Sequence, residues 1–226
     1  MKRKRKSEKD CKPARKRKHK IVIGIDQSYA DSGIALALDN QLKAVTECKP
    51  STTTSNTERR ALLRKTLVHV FVKAIEKANS LGDCEVVCII ERIRLQSAKP
   101  GAQHFLNLDY IKGIGALNAL IVDLAYEYNI PVYSVDTRSW KVQVTGSSKP
   151  MNNKYGFAEE KWPTIKWCLN EGYEKFIIEE VSPRKKKGVV IKNGERYTYN
   201  DNKADAIGIC MYGFLNISKQ KLEEER

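Results

Sequence analysis

The chain has 226 residues, enough for one substantial α/β domain with its own core and too few for two comfortable ones. Its net charge of +14 is concentrated at the start: residues 1–20 hold twelve Lys or Arg against Glu8 and Asp10, a net of +10, and the other 206 residues carry only +4. With no secretory apolar region and no apolar run near 18 residues, the sequence reads as a soluble protein and excludes a membrane-spanning one.

Residues 1–19 have almost no apolar side chains to offset the entropy of ordering, so they are expected to be a basic disordered arm. Such a run suits polyanion binding, nuclear import or simple solubility. The domain follows, at 20–218, with a charged tail at 219–226. Within it, 20–26 reads as a strand and Gln-Ser-Tyr-Ala-Asp-Ser-Gly (27–33) as a turn. Strands at 34–38 and 42–48 complete a meander. Apolar residues then recur at helical spacing over 57–81, with Gly82 as a stop. A strand at 85–91 precedes a second long helix over 105–129. A short strand at 131–136 leads into a helix over 137–144, capped by Asp136 or Thr137. Residues 157–171 look helical, Asn193-Gly194 marks a hairpin within 189–199, and a final helix runs from about 201 to 218. Three strands, helix, strand, helix, strand and a late helix is the order of an α/β ribonuclease H-like fold, a mixed five-stranded sheet flanked by helices.

Six cysteines without a Cys-x-x-Cys pair, and three scattered histidines, argue against zinc and for reduced, buried thiols in a reducing compartment. The chemistry points instead to carboxylates. Asp26 ends Ile-Val-Ile-Gly-Ile-Asp (21–26) and Glu91 ends Glu-Val-Val-Cys-Ile-Ile-Glu (85–91), both patterned as strands buried on two faces. Asp201 and Asp205 open the last helix in Asn-Asp-Asn-Lys-Ala-Asp-Ala (200–206). Each acid alone could be a solvated turn residue or a cap. Together, at neighbouring strand ends and one helix start, they form a cradle for Mg²⁺ or Mn²⁺, with two ions able to cleave a phosphodiester.

Four stretches carry a family resemblance: Ile-Gly-Ile-Asp-Gln-Ser-Tyr-Ala-Asp-Ser-Gly-Ile-Ala (23–35), Ile-Ile-Glu-Arg-Ile-Arg-Leu (89–95), Ile-Pro-Val-Tyr-Ser-Val-Asp-Thr-Arg-Ser-Trp-Lys (130–141) and Asp-Asn-Lys-Ala-Asp-Ala (201–206). Over about residues 20–217 the chain resembles RuvC-type Holliday junction resolvases, particularly phage-borne relatives. The resemblance implies a cytoplasmic homodimer acting in DNA recombination and repair, which nicks two opposed strands of a four-way junction. It also implies catalytic Mg²⁺ on Asp26, Glu91, Asp205 and a fourth position. The family slot for that fourth ligand holds Asn202, and the nearest carboxylate is Asp201, so either residue is a candidate.

Two basic segments are candidate DNA contacts. Arg92, Arg94, Lys99, His104 and Phe105 follow Glu91, with Phe105 set either against a base or in the core. Arg184, Lys185, Lys186 and Lys187 precede the hairpin. Gly113, Gly115, Ala116 and Ala119 permit close packing of the second long helix, within the chain or across a dimer. The competing readings are a ribonuclease or single-nicking nuclease on the same fold, and a catalytically weak DNA-binding or packaging factor.

Overall fold

The computed structural model describes residues 18–28, 30–51, 53–93, 108–181, 185–217 and 223–224. β1 (His19–Asp26), β2 (Ser32–Leu38) and β3 (Gln41–Cys48) form the antiparallel meander, and β4 (Cys84–Glu91) and β5 (Val132–Val135) add in parallel beyond β1. The expected mixed five-stranded sheet is therefore present, in the order β3-β2-β1-β4-β5. A two-residue strand, β9 (Glu223–Glu224), extends it by pairing antiparallel with β5. The β2–β3 turn is Asp39-Asn40, both at positive φ (49° and 66°), the backbone of a tight hairpin.

Two hydrophobic layers sandwich the sheet. On one face lie α1 (Asn56–Leu81) and α2 (Leu108–Glu127). α1 begins with a Ser55–Glu58 capping box and buries Leu63, Leu67, Phe71, Ala74 and Ala78, a 3.6-residue stripe. On the other face α6 (Asp201–Ile217) is the central element, packed by α3 (Thr137–Thr145) and α4 (Trp162–Asn170). Asp136, one of the two expected caps of α3, holds that role: its side chain accepts hydrogen bonds from the Arg138 and Ser139 amides.

Glycines let α6 sit directly on the sheet. A Cβ at Gly24 would stand 2.4 Å from the Cys210 amide nitrogen, and one at Gly33 would stand 2.1 Å from the Asn202 carbonyl oxygen. This close approach brings the start of α6 beside the end of β1.

One expectation needs correction. The helix read over 157–171 starts only at Trp162, because Pro163 lacks an amide donor and is tolerated only in a first turn. Upstream, Asn153 closes a loop by accepting from the amides of Tyr155 and Phe157. The segment 174–199 holds more than the expected hairpin. The Asn193-Gly194 hairpin forms as β7 (Val190–Lys192) and β8 (Glu195–Tyr199), but it belongs to a separate three-stranded sheet. The third strand is β6 (Ile178–Glu180), which follows the short α5 (Glu174–Ile177). The arm at 1–17 lies outside the described residues. Cys48, Cys88, Cys168 and Cys210 are buried free thiols and Cys84 is half-buried, and no helix among the described residues is long and apolar enough to cross a membrane.

Candidate active site

β1 and β4 run parallel, so Asp26 and Glu91 end neighbouring strands at one edge of the sheet. α6 brings Asp205 to the same place. Asp26 is half-buried at the strand end. Its carboxyl is held well above the ordinary carboxylate range, first by burial and then by Asp205, with Glu91 adding to the repulsion. Glu91 is also pushed up by burial and by Asp205, against the opposing pull of hydrogen bonds from Thr137 and Trp140.

Glu91 is held at both ends. The Gln27 side chain takes up its main chain: the Glu91 amide donates to Gln27 Oε1 at 3.1 Å, and Gln27 Nε2 donates to the Glu91 carbonyl. The Thr137 hydroxyl donates to Oε1 and Trp140 Nε1 to Oε2 at 3.3 Å. Both oxygens therefore have donors, and the carboxylate is aimed rather than free to rotate.

Asp205 is buried, and its Oδ1 has no hydrogen-bond partner. Its Oδ2 is met by two ammonium groups, Lys161 Nζ at 3.0 Å and Lys141 Nζ at 3.7 Å. Lys161 also reaches Asp201 Oδ2 at 3.2 Å. Burial alone would lower the Lys161 pKa, but Asp205, Asp201 and Asp26 outweigh it and hold it above its ordinary value. Both lysines escaped the sequence reading, because each sits in a short helical region whose only signal is charge. The Thr-Arg-Ser-Trp-Lys run (137–141) held the clue to Lys141, since Thr137 and Trp140 of that run clamp Glu91.

Of the expected ligands, the fold thus groups Asp26, Glu91 and Asp205, and links Asp201 to them through Lys161. Asn202 turns away. Its Nδ2 donates to Asp31 Oδ1 at 2.6 Å. Among the described residues no three Asp, Glu, His or Cys side chains are arranged to hold a metal ion as they stand. The donor set nevertheless suits a hard dication: oxygens only, mutual repulsion that an added cation would relieve, and one buried Asp205 oxygen without a donor.

The expected DNA contacts divide. Arg92 extends the sheet ladder, its amide donating to the Val135 carbonyl at 2.8 Å, and its guanidinium reaches Ser134 Oγ at 3.4 Å. Lys185, Lys186 and Lys187 are exposed, with Lys185 Nζ donating to Thr198 Oγ1 at 2.9 Å. Arg94, Lys99, His104, Phe105 and Arg184 lie outside the described residues.

The whole fold has solved counterparts. Thermus thermophilus RuvC in complex with a Holliday junction substrate superposes with a TM-score of 0.54 at 12% identity, over 91% of this chain and 99% of that one. A second Thermus thermophilus RuvC structure gives 0.54 at 15% identity over the same shares. The chain has the ribonuclease H-like fold. No family model matches the sequence, and no curated protein matches it.

Proposed function

We propose that the protein is a divalent-metal-dependent nuclease that resolves four-way and other branched DNA junctions as a homodimer. The observation that carries this reading is the convergence of Asp26, Glu91 and Asp205 from two strand ends and one helix into a single partly buried, mutually repelling group. Its support is the likeness to RuvC across nearly the full length of both chains.

Asp26, Glu91 and Asp205, with Asp201 at the margin, would hold Mg²⁺ or Mn²⁺. Such ions supply water activation and stabilisation of the leaving oxygen. The chain's own residues do the rest. Gln27, Thr137 and Trp140 fix Glu91. Lys161 and Lys141 compensate the acids, and their ammonium groups suit a phosphate approaching the sheet edge. Exposed Lys186 and Lys187, beside the small sheet, suit the flanking backbone.

For the dimer, α2 offers an outward face. Gly115 meets nothing within 4 Å, Ala119 is exposed and Tyr126 is 82% exposed, whereas Gly113 and Ala116 line a cleft against α1. A two-fold contact through that face would place two sites on one junction.

The test is incubation with a labelled four-way junction, duplex DNA and RNA–DNA hybrid, in Mg²⁺ and in EDTA. Paired, EDTA-sensitive nicks in the junction are expected. Preferential cutting of hybrid favours a ribonuclease. Junction binding without cutting in either Mg²⁺ or Mn²⁺ favours a binding factor, the reading suggested by Lys161 standing among the acids. A monomer by light scattering, free and junction-bound, removes the resolvase.

A further inference from the structure

A groove of about 570 Å³ lies on the α1 face of the sheet, where β3 is the edge strand. It falls within the range of roughly 300–1,000 Å³ common to binding pockets. Strand register explains its floor. Ile34 pairs with Thr46 and Leu36 with Ala44, and all four residues face the groove. α1 turns its buried stripe toward β1 and β4, so it shelters this margin of the sheet only from one side.

The helix contributes two parallel rows to the groove. Leu62, Thr66 and Val70 form the inner row, with Leu62 38% exposed; Lys65, His69 and Lys73 form the outer row. Both rows step by four residues. No groove-lining residue is acidic, among the described residues. Lys73 is shared with Glu76 at 2.9 Å, which leaves Lys65 and His69 as the stronger attraction for an anion.

The spacing selects a shape. Four residues advance about 6 Å along a helix at 1.5 Å each, and alternate side chains of an extended peptide are about 6.6 Å apart. A carboxylate at every second position therefore stays in step with Lys65, His69 and Lys73 along the whole row. The intervening side chains would then point at Leu36, Ala44 and Leu62. An apolar floor disfavours a phosphate backbone, which needs its charges met on every side.

We propose that this groove binds an extended acidic peptide segment of another protein, in which carboxylates alternate with apolar side chains. The inference is independent of the nuclease reading, because the groove shares no residue with the carboxylate site.

The test titrates the full chain with a fluorescein-labelled pool of decapeptides alternating Asp or Glu with Leu, Ile, Val or Phe. A second pool replaces the acids with Lys or Arg. The acidic pool should bind and the basic pool should not. Ala44→Trp fills the groove without altering charge and should weaken acidic-pool binding roughly tenfold, while junction cutting is unchanged. Lys65→Glu with His69→Glu should weaken it by a similar factor, because the variant loses one exposed ion pair and one ring N–H donor, each worth up to about 1 kcal/mol, and adds two like charges. Circular dichroism and the thermal midpoint establish that both variants are folded. Acidic-pool binding that survives Ala44→Trp belongs to the basic arm and overturns the proposal. So does failure of the wild type to prefer the acidic pool. Protection of residues 62–73 from hydrogen exchange by single-stranded DNA instead of peptide makes the groove a nucleic-acid surface and also overturns it.

Discussion

Two acidic clusters meet the first turn of α6, built from the same residue types and supplied with donors to different degrees. In one, each of Asp31, Glu47 and Glu179 has a close donor. Asn202 Nδ2 lies 2.6 Å from Asp31, and Asn200 Nδ2 lies 2.6 Å from Glu47 and 2.9 Å from Glu179. Lys203 Nζ lies 2.5 Å from Glu179. Burial tends to raise Glu179, but the bonds from Lys203 and Asn200 overcome it and hold its pKa below the ordinary value; Glu47 beside it stays above its own, raised by burial against the pull of Lys49 and Lys203. In the other, Asp26 and Glu91 are held above theirs, and both nearby ammonium groups converge on one oxygen of Asp205. The first cluster is a clasp. It ties β3 and β6 to Asn200, whose side-chain oxygen also accepts the Lys203 amide at the helix start. In the second the acids repel one another, a repulsion that a bound cation would relieve under the proposed function. Residue type alone does not separate a structural acid from a functional one; the donors around it do.

The largest expected effect tests the second cluster. Asp26→Asn should abolish metal-dependent cutting while leaving junction binding intact, since it adds no bulk and removes a negative charge near phosphate. Near wild-type cutting would show the cradle to be misplaced. The same variant should stabilise the metal-free fold. A carboxyl whose folded pKa is raised costs stability above that pKa, because the folded state must give up a proton it holds more tightly than the unfolded chain does. In EDTA at pH 8 the variant should therefore melt higher, by about 2–4 °C for each kcal/mol relieved. The gain should shrink as pH falls and wild-type Asp26 takes up its proton. Saturating Mg²⁺ should reverse the order, because only the wild type retains the full ligand set.

The clasp should behave in the opposite sense. Asn200→Ala removes a cap and leaves two carboxylates without their amide donor, so the thermal midpoint should fall in metal-free and metal-loaded protein alike. A loss of roughly 1–3 kcal/mol is expected from the unsatisfied groups. Cutting should fall less than in Asp26→Asn, and Asn200→Asp should not rescue stability, because it adds a third carboxylate to Glu47 and Glu179. Equal stability of Asn200→Ala and wild type would erase the distinction between the two clusters.

The comparison also explains what was legible in sequence. Asp26 and Glu91 could be found because each ends an apolar, β-branched run, and Asp205 because Ala-Ile-Gly-Ile-Cys follows it. Those signals are local. The clasp was invisible because its members lie at 31, 47, 179, 200, 202 and 203 and meet only through tertiary packing. The hairpin at Asn193-Gly194 was legible from its turn, with Asn193 and Gly194 at φ of 52° and 82°. Its partner β6 was not, since three residues after a one-turn helix carry too little pattern to read. Pro163, in the first turn of α4, marks a helix start that the reading over 157–171 placed five residues too early.

The smallest effect concerns the two residues between which the sequence left the fourth ligand open. Asp201 shares Lys161 with Asp205 and faces the site, whereas Asn202 donates to Asp31 and belongs to the clasp. Asp201→Asn should therefore raise the Mg²⁺ concentration needed for half-maximal cutting, because it removes an anionic oxygen from beside the cradle. Its thermal midpoint in EDTA should barely move, as the Asp201 side chain is 42% exposed and its pair with Lys161 is worth at most about 1 kcal/mol. Asn202→Ala should do the reverse, leaving the Mg²⁺ requirement unchanged and lowering the midpoint modestly through the donor lost to Asp31. Parallel Mg²⁺ titrations and melts of the two variants separate the outcomes. A raised Mg²⁺ requirement in Asn202→Ala alone would return the fourth position to Asn202 and place the boundary between clasp and cradle one residue later than the side-chain contacts do.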